Sequence, residues 1–399
     1  MRLAVGGAVG FLLVVIGVDL MLAASAQVVK PFAIGFLGLK FDPRYDENRA
    51  RMRSRLHPQG DAVAGAALAV ADSQFIGAEI NVDFRLEIYR GANATELAST
   101  VRAWRDEKAV RFYILDLPGD VVAELSELTK DDGVLLINAT APDVRLRREA
   151  CSRYLFHTAP SYAMQMDALV QYLVSKRWTR IFMLEGPLPE DATVSEAFRD
   201  SADRHGAKIV DTRPFILGND PRRRDQNNIA LLTGGRRDYD VVFVADTDGE
   251  FGRYVPYQTN RPRPVVGTTG LTPSWWHWSF ERYGAPQLNS RFEKAHGRRM
   301  LDQDWGTWVA VRAIVQSVLR VRSTEFEKVT AFMRGDRLRI DGFKGPALSF
   351  RPWNNQLRQP ILIATHDAMI KTAPVDGFLH ETETLDTLGD DRANSSCRF

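Results

Sequence analysis

Several chemistries announce themselves by short motifs, and this 399-residue chain lacks all of them. No G-x-x-x-x-G-K-[ST] occurs, which excludes nucleotide hydrolysis through a P-loop. No G-x-G-x-x-G turn leads from a strand into a helix, so a dinucleotide enzyme loses its main support. A G-x-S-x-G nucleophile elbow is also missing. The seven histidines are scattered, with neither H-E-x-x-H nor a Cys/His spacing suited to a metal. Charge of one sign is not in excess: 52 Lys and Arg stand against 50 Asp and Glu, a net +2 that suggests no nucleic-acid partner. Arginines do cluster, at Arg49-Arg51-Arg53-Arg55 and Arg222-Arg223-Arg224. Asp42, Asp46, Glu47, Asp220 and Asp225 interleave with them, as in solvated loops. Beyond the first residues no apolar run approaches the ~20 needed to span a bilayer.

What is present is an ordinary globular composition, 45% hydrophobic and 26% charged, on a chain long for one core, so two lobes are expected. Residues 1–26 read as a signal peptide: Arg2 supplies the positive start, Leu3–Val18 the apolar run and Ala24-Ser25-Ala26 the small-residue cleavage pattern. Asp19 interrupts the run, and an uncleaved anchor is the rival reading. Export to the periplasm, with cleavage after Ala26, makes the two cysteines interpretable. An even count in an oxidising compartment points to one disulfide, Cys151–Cys397, with two isolated thiols as the alternative.

Along the chain, buried strands alternate with helices. Phe32–Leu37 is a continuous apolar strand, followed by a polar loop Lys40–Pro58 and a small-residue helix over about Gln59–Ile76. Phe84–Tyr89, Val110–Leu115 and Val134–Asn138 read as strands, with helices over Ala94–Glu107 and Asp120–Lys130 between them. A polar connection Ala139–Ser161 leads to the helix Tyr162–Trp178. The alternation then restarts with strands Arg180–Leu184, Lys208–Phe215, Asp240–Ala245 and Pro264–Val266, and helices Ser195–His205 and Asp225–Gly234. Helical periodicity returns from Ser290, strongest over Asp304–Arg320, with a short helix Glu325–Met333. Leu338–Phe350 reads as paired strands and Pro360–Thr365 as a last buried strand. Two rounds of this unit imply two doubly wound α/β lobes with parallel sheets.

The stretch PVVGTTGLTPSWWHW, Pro264–Trp278, is the candidate ligand wall. It places Trp275, Trp276 and Trp278 after a strand end, where open α/β sheets collect ligands. Packing into a core is the bland alternative for such rings. Carboxylates such as Asp246 and Asp248 are available for acid–base work, but no catalytic constellation accompanies them, and the chain is not read as an enzyme.

Several segments carry a family resemblance over essentially the whole mature length. These are FAIGFLGL, AVAGAALAVADSQ, YILDLPGDVVAELSEL, VLLINATAPDVRLR and YLFHTAPSYAMQMDALVQYLVSKRW. They resemble the type I periplasmic solute-binding proteins of the leucine/isoleucine/valine-binding class. Cys151, the HTAPS turn, the tryptophan cluster and the terminal SSCRF are more narrowly similar to a branch associated with pyrroloquinoline quinone (PQQ)-dependent alcohol dehydrogenase systems. The resemblance implies two lobes joined by a three-strand hinge, with crossings expected near Pro160, Pro286 and Gly342. The first lobe would comprise 27–157 and 290–340, the second 158–289 and 341–399. It implies the receptor of an ABC importer, a monomer with no cofactor of its own, whose permease and ATPase are separate chains. PQQ or another flat anion, as a transported ligand, would stack on the tryptophans and pair with Arg44, Arg145 or Arg153. Tyr45, Pro118, Thr140 and Asp246 complete the expected site. After the third strand Leu117-Pro118-Gly119 offers no hydroxyl where amino-acid receptors of the class commonly use one. A small alcohol, an acid or a branched-chain amino acid is the alternative ligand. A solute sensor without transport and a lyase or hydrolase on the same scaffold are the alternative functions.

Overall fold

Buried apolar residues on alternate faces of one strand build the first lobe: Phe32, Ile34 and Phe36 enter one cluster and Leu37 another. That strand is β1 (Lys30–Leu39), and the computed structural model describes residues 29–45, 60–218 and 221–399. The signal segment 1–26 and most of the loop Lys40–Pro58 lie outside the described residues. With β2 (Val82–Gly91), β3 (Phe112–Asp116), β4 (Leu135–Asn138) and β5 (Leu155–His157), it forms a parallel sheet ordered β2-β1-β3-β4-β5. Helices α1 (Val63–Glu79), α2 (Ala94–Lys108) and α3 (Gly119–Leu128) connect the strands. The polar Ala139–Ser161 connection hides β5, a strand too short to show periodicity.

The second lobe repeats the pattern. Helix α4 (Tyr162–Ser175) leads into β6 (Arg180–Glu185), α5 (Pro189–His205), β7 (Lys208–Pro214), β8 (Val241–Ala245) and β9 (Val265–Gly267), with parallel order β7-β6-β8-β9. Helix α5 begins six residues before the expected Ser195, because Pro189 stands at its first turn and the Asp191 carboxylate accepts the Leu188 N–H. The helix expected over Asp225–Gly234 is broken into a 3-10 turn, Pro221–Gln226, and one helical turn, Ile229–Leu232. The Asn228 side chain caps that turn afresh.

The chain then returns to the first lobe. Helices α6 (Ala285–His296), α7 (Asp302–Val321) and α8 (Phe326–Arg334) share an apolar cluster with α1 and the strands of the first sheet. In place of a long hairpin over Leu338–Phe350, a bridge joins Ile340 to Leu348, and β11 (Ser349–Phe350) pairs with β12 (Leu357–Arg358). A separate antiparallel sheet, β10 (Thr272–Ser274), β13 (Ile361–Ala364) and β14 (Met369–Ala373), packs with the second lobe through Ile361, Ile363 and Ala373. Among the described residues no helix is long and apolar enough to cross a membrane.

Cluster membership locates the crossings. The chain leaves the first lobe after His157 and enters the second by Met164. It returns at Trp275, which packs against both clusters, since Trp276, Phe280, Ala285 and Leu288 already belong to the first. It crosses again between Leu357 and Ile361. The second and third crossings thus lie away from Pro286 and Gly342. The aromatic residues before Pro286 fill the first core, and residues 348–357 pack there too.

One buried amine ties these crossings together. Lys344 Nζ donates to the carbonyls of Trp275 (2.8 Å) and Pro360 (3.0 Å) and to Gln359 Oε1 (2.7 Å). Gln359 Nε2 in turn donates to the Thr158 carbonyl (2.7 Å). Three acceptors match the three donors of an ammonium. Burial pulls the Lys344 pKa well below the usual lysine range, with Asp302 opposing. Lys344→Met keeps the apolar stem but leaves three buried acceptors unpaired, and is expected to cost about 2–4 kcal/mol of unfolding free energy. Urea melts check this; a loss within the error of the measurement would show that the carbonyls find other partners.

Candidate ligand-binding cleft

Both parallel sheets reverse their winding in the middle, and ligands in such sheets bind outside the carboxyl ends at that reversal. In the first sheet it falls between β1 and β3, in the second between β6 and β8.

At the first reversal the chain after β1 folds over the end of β3. Arg44 donates from Nε and Nη2 to Asp42, from Nη2 to Asp116 Oδ1 (3.0 Å) and from Nη1 to Thr140 Oγ1 (3.1 Å). The Tyr45 hydroxyl donates to Asp116 Oδ2 (2.7 Å). Burial pushes the Asp116 carboxyl above its usual range, with the Arg44 guanidinium and the Tyr45 and Thr140 hydroxyls opposing. Burial likewise raises the Tyr45 phenol, and Asp116 adds to it. Pro118 is half-buried at the start of α3. Against the same helix start lies Asp143, whose carboxylate is close enough to collide with any side chain placed at Gly119. A negative group at a helix N-terminus is favourable.

The second reversal is acidic too. Asp191 Oδ1 accepts from the Thr247 N–H and hydroxyl, both at 2.6 Å. Asp246 accepts the Gly252 N–H at Oδ2, while its buried Oδ1 has no hydrogen-bond partner. Burial raises its carboxyl to about 6. Between the two reversals stands Tyr162, its N–H donating to the Pro142 carbonyl (2.8 Å) and its hydroxyl to Glu190.

The expected residues therefore separate into two groups. Arg44, Tyr45, Thr140 and the neighbouring Pro118 come together at the first reversal, and Asp246 belongs to the second. Arg145 is exposed in the turn after β4, 3.9 Å from Asp143. Arg153 precedes β5 and so lies toward the opposite end of the sheet. Arg44, Arg145 and Arg153 are not gathered around one anion. Asp42, Asp116, Asp143, Tyr162, Glu190 and Asp191 were not read from the sequence as site residues. Asp116 carried a usable signal, a carboxylate directly closing a buried strand.

The tryptophans follow β10, not the end of β9. Gly270, at φ 74°, turns the chain back, with its α-carbon so close to the Val265 carbonyl that a side chain would collide. Trp276 is a core residue rather than a cleft wall: it is 2% exposed, stacks parallel to Trp305 and bonds Asn289 through Nε1 (2.9 Å). Trp278 lies under the Arg299 guanidinium, 3.6 Å from the ring centroid. Trp275 alone of the three packs against both lobes, and its buried Nε1 has no partner. It stands beside Gly306, where a side chain would strike the Ala139 carbonyl, one residue before Thr140.

Two parallel sheets with facing strand ends, joined by three tied crossings, define the architecture. The fold is that of the type I periplasmic binding proteins. Residues 61–223 match the family model described as periplasmic binding protein. No curated relative matches the chain. Solved type I structures align over nearly all of it. The leucine-, isoleucine-, valine-, threonine- and alanine-binding protein of Brucella ovis, in a closed conformation, gives a TM-score of 0.69 at 13% identity. That alignment covers 92% of this chain and 99% of the other. A branched-chain amino acid transporter substrate-binding protein of Streptococcus pneumoniae, in complex with isoleucine, gives 0.63 at 14% identity, covering 86% and 99%. An ABC transporter solute-binding protein of R. palustris in complex with benzoate gives 0.65 at 11%, covering 92% and 100%.

Within this binding-protein fold, Asp302 fixes the turn that carries the tryptophans, accepting from the Ser274 hydroxyl (2.9 Å) and the Trp276 N–H. Burial holds its carboxyl up at about 6, above the roughly 4 of an unfolded aspartate. The folded protein thus binds this proton more tightly than the unfolded chain. The stability it contributes is present below about pH 4 and is lost as pH rises through about 6. Asp302→Asn, fixed in the neutral form, should gain on wild type as pH climbs across that window in urea melts. A difference that stays constant with pH would show that Asp302 does not titrate there.

Proposed function

We propose that this protein is the exported substrate-binding component of an ABC importer, taking a small solute between its lobes and passing it to permease and ATPase subunits on other chains. The observation that carries this reading is a bridge between strand ends of the two sheets: Tyr162 donates its N–H to the Pro142 carbonyl after β4 and its hydroxyl to Glu190 at the start of α5, beside Asp191. One reversal offers Arg44, Asp116 and Thr140, and the other Asp191 and Asp246. The aligned transport proteins of the same fold support it.

The charges at these strand ends favour a ligand that brings donors. Asp42 and Asp116 already hold Arg44, Asp143 already covers the start of α3, and Glu190 and Asp246 add negative charge opposite. A flat polyanion such as PQQ meets like charge here, whereas an ammonium-bearing solute such as a branched-chain amino acid meets carboxylates. The preferred ligand is therefore the amino-acid class, supported by the isoleucine complex of the aligned S. pneumoniae protein. Trp275, between the lobes with its indole N–H unpartnered, favours an aromatic acid as the second reading, in keeping with the aligned benzoate complex.

Calorimetric titration of leucine, isoleucine, benzoate and PQQ into the ligand-free protein decides between them. An amino acid should bind, and Asp246→Asn should weaken it tenfold or more, the consequence of about 1.4 kcal/mol or more from one buried charge partner. Saturation should also shrink the radius of gyration in small-angle scattering, as hinge closure requires. Uptake of PQQ or benzoate with no amino acid bound would overturn the ligand class. An unchanged radius at proven occupancy would overturn the closing cleft.

A further inference from the structure

Beyond β14 the chain does not simply end on the second lobe; it runs across both. Leu388 is fully buried in the second lobe's cluster, and the Thr387 carbonyl accepts from Gln171 on α4 (3.3 Å). The Gly389 N–H donates to Asp167 on the same helix (2.6 Å), and its carbonyl accepts from Arg204 on α5 (3.3 Å). The same stretch also grips the first lobe beside the third crossing: Arg351 donates to the Leu385 and Leu388 carbonyls and, with Arg358, to the Asp386 carboxylate. Both carboxylate oxygens of Asp390 accept from Arg148, each at 2.9 Å, and Cys397 is bonded to Cys151. Arg148 and Cys151 both precede β5 of the first sheet. The outer anchors stand away from the nearby hinge crossing at Thr158 on either side: Gln171 lies nine residues beyond the start of α4, roughly 14 Å along the helix.

We propose that residues 385–399 form a fourth, disulfide-closed tie between the lobes that restricts the range of angles they adopt. Three backbone crossings act as a hinge and permit rotation. A fourth connection, held beside the third crossing by Arg351 and Arg358 and anchored farther out at Gln171 and Cys151, opposes rotation in proportion to the lever arm of those outer anchors. On the first lobe the anchor is covalent, so it does not yield when the lobes move. The bidentate Arg148–Asp390 pair fixes the point where the strap leaves the second lobe, since such pairs set geometry as well as attraction. The proposal rests on these contacts and on no ligand.

The test reads the angle directly, with no solute present. Cysteines introduced as Glu124→Cys on α3 and Glu196→Cys on α5, both exposed and one on each lobe, carry a fluorophore pair through thioether links, the native cysteines being protected in their bridge. Single-molecule energy transfer is recorded for the oxidised protein and for the same folded protein after reduction and alkylation. The Cys151→Ser/Cys397→Ser variant carrying the same labels is measured alongside. The strap predicts a narrow distribution in the oxidised form that broadens and shifts its mean in both of the others. If the variant fails to fold, the reduced and alkylated wild type decides alone. An unchanged distribution in either cleaved form, with its circular dichroism retained, overturns the proposal. Because no solute is added, that failure would leave the importer reading untouched.

Discussion

A buried amine with three acceptors is the constraint on which the two-lobed arrangement rests. Lys344 has nowhere to place its donors except the carbonyls of Trp275 and Pro360 and the carboxamide of Gln359, each at or beside a point where the chain passes between lobes. An unmet donor or acceptor at that depth costs more than a typical hydrogen bond returns. The crossings are therefore held in one relation to each other while the lobes beyond them remain separate clusters. The 3.7 Å approach of the Lys344 nitrogen to the Trp305 ring adds a cation–π contact from the core of the first lobe.

The same logic of matched charge shapes the strand ends. Arg44 looks in the sequence like a hand extended to an anion, yet in the fold Asp42 and Asp116 already grasp it. Whatever enters must compete with these internal partners or use groups they leave over. Asp246 is the clearest such group, with one buried oxygen unpaired. An arginine count therefore says little about ligand charge until the carboxylates facing each guanidinium are known.

Much of the architecture is legible in the sequence because its strands are buried on both faces. Continuous apolar runs such as FAIGF and VVFVA leave few alternatives. The short antiparallel strands β10 and β14 read TPS and MIKTA, polar enough to pass for loop, and only pairing with β13 makes them strands. The disulfide is legible from an even cysteine count and an expected oxidising compartment, and Cys151 and Cys397 are bonded. The site is less legible. Trp275 and Trp276 are adjacent and chemically identical, and their different fates depend on Trp305 and Gly306, brought in by a helix that begins 26 residues later at Asp302. Asp116 is visible at its strand end, but its role comes from Arg44 and Tyr45, carried over from the loop after β1.

The split construction of the second lobe bears on the order in which it is assembled. Its sheet of β10, β13 and β14 joins Ser274 to Leu362, and between these residues lie α6, α7 and α8, which all pack in the first lobe. A chain emerging from its N-terminus presents β10 long before its partner strand exists. Ile361, Ile363, Ala373 and Leu388 must arrive before the second lobe's apolar cluster is complete. Contacts so distant in sequence form slowly, and a half-built lobe shows apolar surface to its surroundings. Such a chain has a long interval in which its second lobe stands open, and it needs shielding for as long as that interval lasts.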